Sequence, residues 1–225
     1  MKKLIIATFA GVCALSVFAQ GTIVFNTFES TVRLHIYAPL ATAPAFSQLG
    51  NGASDVPAGS NVWTAFSLIG ASGLTGKYGG SSTMAELLAG QGQGAASLQP
   101  ATAGGITTFH TGTSALGGTV VGLTSTFGNI PADYANGATV QVVAWDDSSA
   151  LYPTWATASV AWMAGLIAAG ESNVENLAGA IGGTGTPPYL PAGLQSFNLY
   201  FIPEPTSFAL AGLGAAALLI FRRRK

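Results

Sequence analysis

Apolar and polar residues alternate with a period of two along much of the middle of the chain, which is the pattern of half-buried β-strands. Six segments predict strands, and they cover residues 23–25, 32–37, 62–69, 121–127, 140–145 and 197–201. Gly, Pro, Asn and Asp cluster between these segments and indicate turns. We therefore predict an all-β domain, an antiparallel β-sandwich of jelly-roll type with one or two short helices.

Two segments within this β-rich middle carry helical signals. Residues 83–90 begin with the Thr-x-x-Glu spacing of a capping box and end on a glycine, which predicts one helix. Residues 155–170 follow a proline, repeat apolar residues at helical spacing and also end on a glycine, which predicts a second helix. Trp155 and Trp162 lie seven residues apart on it, a spacing that favours core packing over a platform for a ligand.

The N-terminus has the three-part layout of an export signal. Two lysines follow the initiator methionine, residues 4–17 are apolar, and a small-x-small site ends at Ala19. This layout predicts a signal peptide over residues 1–19, cleaved between Ala19 and Gln20. A short buried N-terminal helix is the alternative, and the three-part layout argues against it.

Cys13 is the only cysteine of the chain, and it lies inside the predicted export signal. A lipoprotein signal would use such a cysteine, but Val12 stands where a lipobox requires a small residue. We expect cleavage after Ala19 instead. The mature protein would then have no cysteine for a disulfide, a nucleophile or a thiolate metal site.

The C-terminus carries a second membrane signal with three parts. Pro203, Glu204 and Pro205 are followed by an uncharged apolar run over residues 206–221. The chain then ends with a basic cluster formed by Arg222, Arg223, Arg224 and Lys225. Two prolines within three residues prevent the preceding strand from continuing into a helix, so the order predicts a strand, a break and a membrane helix.

The apolar run of residues 206–221 is short for a permanent membrane span. Its sixteen residues extend about 24 Å as a helix, against a hydrocarbon core of about 30 Å. The basic cluster can snorkel, and its charge keeps it in the cytoplasm, which places the preceding domain outside. An amphipathic surface helix is the alternative, but residues 207–221 have no polar face.

Three features in this order resemble the PEP-CTERM sorting domain. They are the Pro-Glu-Pro, the Ala/Leu/Gly-rich apolar run with Gly212 and Gly214, and the terminal arginines. The resemblance divides the chain into a signal peptide over residues 1–19, an ectodomain over residues 20–202 and a sorting signal over residues 203–225. A weaker resemblance to small PEP-CTERM proteins of unknown activity covers parts of the ectodomain.

The resemblance implies a route and a partner. An exosortase, a membrane transpeptidase-like cysteine protease, would recognise the tail and cleave near the Pro-Glu-Pro. The protein would pass through an intermediate anchored in the cytoplasmic membrane, with its ectodomain outside, to the cell surface or extracellular matrix. The resemblance further implies association with exopolysaccharide and biofilm. We therefore expect a structural or adhesive protein without enzymatic activity.

Charge is distributed unevenly along the chain. Six of the eight basic residues lie at the two ends, and only Arg33 and Lys77 lie between them. The acids of the middle are Glu29, Asp55, Glu86, Asp133, Asp146, Asp147, Glu171 and Glu175. The ectodomain is therefore negative although the net charge of the whole chain is −1. A negative body repels phosphate backbones, which argues against nucleic acid as a partner.

Residues that could carry chemistry are few. His35 and His110 are the only histidines; we interpret both as surface or strand-edge residues, and they are too few for a zinc site. No Gly-x-Ser-x-Gly elbow or phosphate loop occurs, so we predict no catalytic residue and no cofactor. Asp146 and Asp147 could bind calcium, although a solvated turn with Asx capping explains them better.

Two further functions stay open at this point. A carbohydrate-binding module, with or without calcium, would need Tyr37, Trp63, Trp145 or Tyr200 exposed on one concave face. A secreted hydrolase would need an acidic pair or a Ser-His-Asp triad in one pocket.

Overall fold

The structure is a computed structural model, and it describes residues 20–74, 76–112, 115–203 and 213. The predicted signal peptide, Glu204 and Pro205 of the Pro-Glu-Pro and the basic cluster lie outside the described residues, as does nearly all of the predicted membrane helix. Within the described ranges, no helix is both long and apolar enough to cross a bilayer.

Strands dominate the described residues, and a single helix interrupts them, which confirms the prediction of an all-β protein with a short helix. The strands are β1 (Gln20–Phe25), β2 (Ile36–Tyr37), β3 (Thr83–Gln91), β4 (Gln99–Pro100), β5 (Ile106–Thr107), β6 (Leu123–Pro131), β7 (Ala138–Asp146), β8 (Ala169–Glu171), β9 (Glu175–Leu177) and β10 (Phe197–Asn198). Helix α1 (Trp155–Met163) lies between β7 and β8.

The main sheet is built on the antiparallel pair β3–β7, which stays in register from Thr83 opposite Asp146 to Gln91 opposite Ala138. The short strands β4 and β5 pair with the other edge of β3, and β8 and β9 pair with the other edge of β7. Outside this sheet, β1 pairs with β6 in antiparallel fashion, whereas β2 and β10 run parallel. The parallel pair departs from the purely antiparallel arrangement that the sequence predicts.

The two faces of the main sheet pack into two different apolar clusters. On β7, Val140, Val142 and Ala144 belong to the larger cluster, whereas Val143 and Trp145 belong to the smaller one. Buried side chains of β1, β2, β6 and β10 complete the larger cluster, and buried side chains of α1 complete the smaller one. Because successive side chains of a strand point to opposite faces, the main sheet forms the middle of three layers.

The helix predicted at residues 83–90 is wrong, because this segment is strand β3. Its Met, Ala, Glu and Leu residues favour a helix locally, but nearly all of its side chains are buried on both faces. Pairing with β7 on one edge and with β4 and β5 on the other satisfies its backbone. Tertiary pairing therefore overrides a weak local propensity.

Two of the predicted strands are also wrong in extent. Residues 62–69 form turns, in which the Phe66 amide donates to the Trp63 carbonyl at 3.0 Å, and Val62 is 68% exposed. Residues 32–37 keep strand geometry only at β2, with isolated bridges at Arg33. His35 and Tyr37 are 5% exposed, so both faces of this segment are buried and the expected outward face does not exist.

Helix α1 confirms the second helical prediction, although it ends earlier than Gly170. Thr154 is its N-cap, and the Thr154 hydroxyl accepts from the Thr157 amide at 3.4 Å. Gly165, with φ of 73°, supplies the left-handed residue that follows the last turn. Gly170 instead lies on β8, where a Cβ would come within 2.4 Å of the Asn198 carbonyl oxygen.

Candidate functional site

The segment that leads into the Pro-Glu-Pro is anchored to the body of the ectodomain. The amides of Leu199, Tyr200 and Phe201 donate to the carbonyls of three separate segments, at 2.8, 2.9 and 2.9 Å. Ile202 packs against the smaller apolar cluster, and Pro203 is exposed. The first residue of the Pro-Glu-Pro is therefore exposed directly after the last anchored residue. We call residues 199–203 the sorting junction.

The aromatic side chains proposed for a sugar-binding face are mostly buried. Tyr37 and Trp63 stack in parallel with ring centroids 4.2 Å apart, and they are 5% and 8% exposed. Trp145 is 0% exposed, and only Tyr200 is partly accessible. Three of the four candidates are therefore core residues, and these four side chains do not form the exposed concave aromatic face that this hypothesis required.

Asp146 and Asp147 are buried, at 4% and 8% exposure, which corrects the prediction of a solvated turn. Asp146 Oδ1 accepts from the Ser148 amide at 3.1 Å in an Asx turn, and Asp147 Oδ1 accepts from the Tyr152 amide at 2.8 Å. Among the described residues, no three His, Cys, Asp or Glu side chains converge into a set that could hold a metal ion. The pair thus shapes the turn between β7 and α1.

His35, Asp55 and Ser196 form a buried polar cluster that the sequence did not predict. His35 Nδ1 hydrogen-bonds Asp55 Oδ1, and the Ser196 hydroxyl donates to Asp55 Oδ2 at 2.9 Å. The Gly52 amide donates to the same Oδ2 at 2.6 Å, and the His35 amide donates to Ser196 Oγ at 2.8 Å. The three side chains come from segments far apart in the chain and join them.

This buried polar cluster lacks the geometry of a catalytic triad. In a triad the serine hydroxyl donates to the imidazole, whereas the Ser196 hydroxyl donates to the carboxylate of Asp55. Ser196 is also 0% exposed, so its oxygen is inaccessible from solvent. The expectation of a surface or strand-edge position is wrong for His35, which is 5% exposed.

A cavity of about 660 Å³ lies between strand β3, the loop from β4 to β5 and the start of α1. Glu86 on β3 and Trp155 on α1 line it, together with apolar side chains and the glycine-rich backbone of residues 103–105. The sequence does not predict this site, because Glu86 fits the spacing of a capping box and Trp155 fits the spacing of a core position. The available signal was a single acid within the apolar run of residues 84–90.

Burial raises the pKa of the Glu86 carboxyl, and a hydrogen bond from the Trp155 amide at 3.3 Å partly opposes the rise. Glu86 is 4% exposed, and among the described residues that line the cavity it is the only ionisable one. Its partners across the sheet, Val143 on β7 and Ile106 on β5, are apolar. No basic group of the lining offsets the charge, so the ionised form of Glu86 is unfavourable in the folded protein.

Replacing Glu86 by glutamine is therefore expected to raise the free energy of unfolding at neutral pH. Because the pKa of Glu86 is raised in the folded state, its protonated carboxyl contributes stability that is complete below the ordinary glutamate pKa. This contribution is lost as the pH rises through the pKa of Glu86 in the folded protein. The gain of Glu86→Gln over the natural protein should grow from pH 4 to pH 7.5, measured by urea unfolding. An equal gain at both pH values would contradict the raised pKa.

Residues 201–225 match the PEP-CTERM protein-sorting motif. The match begins at Phe201 inside the sorting junction and includes Pro203, Glu204, Pro205 and the basic cluster. Comparison with curated proteins and with solved structures found no significant match to this chain. The similarity to known proteins that was found therefore concerns the tail.

Proposed function

We propose, on the premise that residues 201–225 carry a PEP-CTERM protein-sorting motif, that this chain is an exported exosortase substrate whose ectodomain is displayed at the cell surface or in the extracellular matrix. The ectodomain serves there as a structural or adhesive protein and has no enzymatic activity. Association with exopolysaccharide and biofilm is part of the same proposal.

The sorting junction supports cleavage at the Pro-Glu-Pro. A protease must draw an extended segment into its active site, and a segment held by backbone hydrogen bonds resists this. Phe201 is the last residue of the junction whose amide is bonded to the body, and Pro203 is exposed. The Pro-Glu-Pro therefore starts where the chain becomes accessible, and cleavage there leaves every anchored strand in the released ectodomain.

The buried polar cluster supports a non-enzymatic role. His35, Asp55 and Ser196 are the closest approach to a Ser-His-Asp arrangement in the part of the chain that the structure describes. They hydrogen-bond one another and backbone amides, which is the pattern of a structural network.

The layering of β1 and β6 over the main sheet supports the jelly-roll-like sandwich, which we keep as part of the proposal.

Replacing Pro203, Glu204 and Pro205 by alanine together is expected to abolish processing in a host that has an exosortase. The unprocessed chain should stay in the membrane fraction, with at least a tenfold loss of the released form, because the tail keeps its apolar run and basic cluster. Immunoblotting of membrane and surface fractions measures this partition.

A matched control replaces Pro187 and Pro188 by alanine, a proline pair in a loop of the ectodomain outside the motif. This variant should be released like the natural protein. Normal release of the Pro203→Ala, Glu204→Ala, Pro205→Ala variant would refute recognition of the motif.

A further inference from the structure

The carboxyl of Glu86 lies at the wall of the 660 Å³ cavity with only one of its oxygens bonded. Oε2 accepts from the Trp155 amide at 3.3 Å, which is a long hydrogen bond. Oε1 accepts no hydrogen bond from any residue that the structure describes, and Gly105 leaves space beside it. A Cβ at Gly105 would lie 3.3 Å from Oε1. Glu86, a residue that is only 4% exposed, thus directs an unpartnered oxygen toward the cavity.

The remaining lining defines what could satisfy this oxygen. Leu88, Leu98 and Ile106 supply apolar walls, and the partly exposed Trp155, whose amide bonds the carboxyl, also lines the cavity. The Trp155 ring packs against the rings of Trp145 and Trp162, both with centroids 5.9 Å away. The cavity therefore combines one acidic oxygen, one rigid aromatic ring and an apolar remainder.

We propose that this cavity binds a primary ammonium group carried on a small uncharged stem, with Glu86 as its anion and Trp155 as its aromatic neighbour. A cation with N–H donors compensates a buried carboxylate better than a neutral hydroxyl does, because charge-assisted hydrogen bonds are the stronger kind. The indole adds a cation–π attraction, and the apolar walls take the stem.

The charge of the ectodomain favours the same ligand class. Eight acidic residues outnumber two basic residues between the predicted signal peptide and the sorting signal, so the ectodomain attracts cations and repels anions. A simple alkylamine and the amino group of a hexosamine share the required chemistry. This inference does not depend on the sorting tail, since every residue that it uses lies in the ectodomain.

The test titrates the exported full chain in lipid nanodiscs with n-butylammonium chloride and with 1-butanol, at fixed ionic strength and neutral pH, by calorimetry. We expect n-butylammonium to bind at least tenfold more tightly than 1-butanol. Glucosamine against n-butylammonium then distinguishes an amino sugar from a simple amine as the preferred source, with N-acetylglucosamine as the control that lacks the ammonium. Equal affinity for the amine and the alcohol, or absence of any binding of n-butylammonium, would overturn the proposal.

Variants separate the site from the general negative charge. Glu86→Gln should weaken n-butylammonium binding at least tenfold while the fold becomes more stable, a combination that a merely structural role would not produce. Glu171→Gln removes one charge from an exposed position on the same sheet and should leave the affinity unchanged. Equal losses in the two variants would mean non-specific attraction of cations and would refute the site.

A second pair of variants tests the position of the cavity without changing its charge. Ala156 lines the cavity at the first turn of α1, and Val160 is 62% exposed on the same helix away from it. Ala156→Phe should obstruct the cavity and reduce n-butylammonium binding at least fivefold, whereas Val160→Phe should not. Unchanged binding in Ala156→Phe would contradict this location.

Discussion

Replacing Trp145 by alanine is expected to lower the free energy of unfolding by about 3–5 kcal/mol, the usual loss for a fully buried large aromatic side chain. Trp145 is 0% exposed on β7 and belongs to the smaller apolar cluster between the main sheet and α1. Its indole N–H also donates to the Tyr152 carbonyl at 2.7 Å. The variant therefore leaves a cavity and an unpaired carbonyl together. Urea unfolding followed by circular dichroism measures the loss.

Tyr189→Ala provides the matched control, because this aromatic side chain is 48% exposed. Its loss should stay within about 1 kcal/mol, as for most surface substitutions. Similar losses in Trp145→Ala and Tyr189→Ala would contradict the position of Trp145 at the centre of the smaller cluster.

Replacing Asp55 by alanine is expected to lower the free energy of unfolding by about 3–5 kcal/mol, because removal of one member of a buried polar network leaves the others without partners. The His35 ring, the Ser196 hydroxyl and the Gly52 amide all bond to the Asp55 carboxyl. Each would remain buried and unsatisfied in the variant. Urea unfolding of the exported protein measures this effect as well.

Asp133→Ala is the control for this second prediction. Asp133 is exposed, and its carboxylate accepts from the Thr184 hydroxyl at 2.8 Å and from the Thr184 amide, so only exposed hydrogen bonds to one surface residue are lost. We expect a loss of at most about 1 kcal/mol. A loss for Asp55→Ala no larger than that of Asp133→Ala would show that the buried polar cluster does not join its segments.

The sequence predicts strands where the burial of side chains alternates or where β-branched residues are frequent. β1 has alternating burial at Ile23 and Phe25, and β7 is buried on both faces but is rich in valine, at Val140, Val142 and Val143. β3 is also buried on both faces, but its Met, Ala, Glu and Leu residues favour a helix, so the sequence predicts the wrong element there. Only the partner strands decide its conformation, and a single-sequence pattern contains no record of them.

The candidate sites differ in whether their residues are neighbours along the chain. The sorting signal is a local sequence of proline break, apolar run and basic cluster, so the sequence alone predicts it and the motif match at residues 201–225 agrees. The cavity and the buried polar cluster join residues far apart in the chain, such as Glu86 with Trp155 and His35 with Ser196. Such pairings depend on the folded topology, and no spacing along the chain encodes them.

The most direct test of the central claim is mass spectrometry of both termini of the surface-exposed protein from a host with an exosortase. The proposal predicts an N-terminus at Gln20 and a C-terminus near Pro203, Glu204 and Pro205, with no peptide from residues 206–225. A surface-exposed protein that retains residues 206–225 would contradict removal of the tail during sorting.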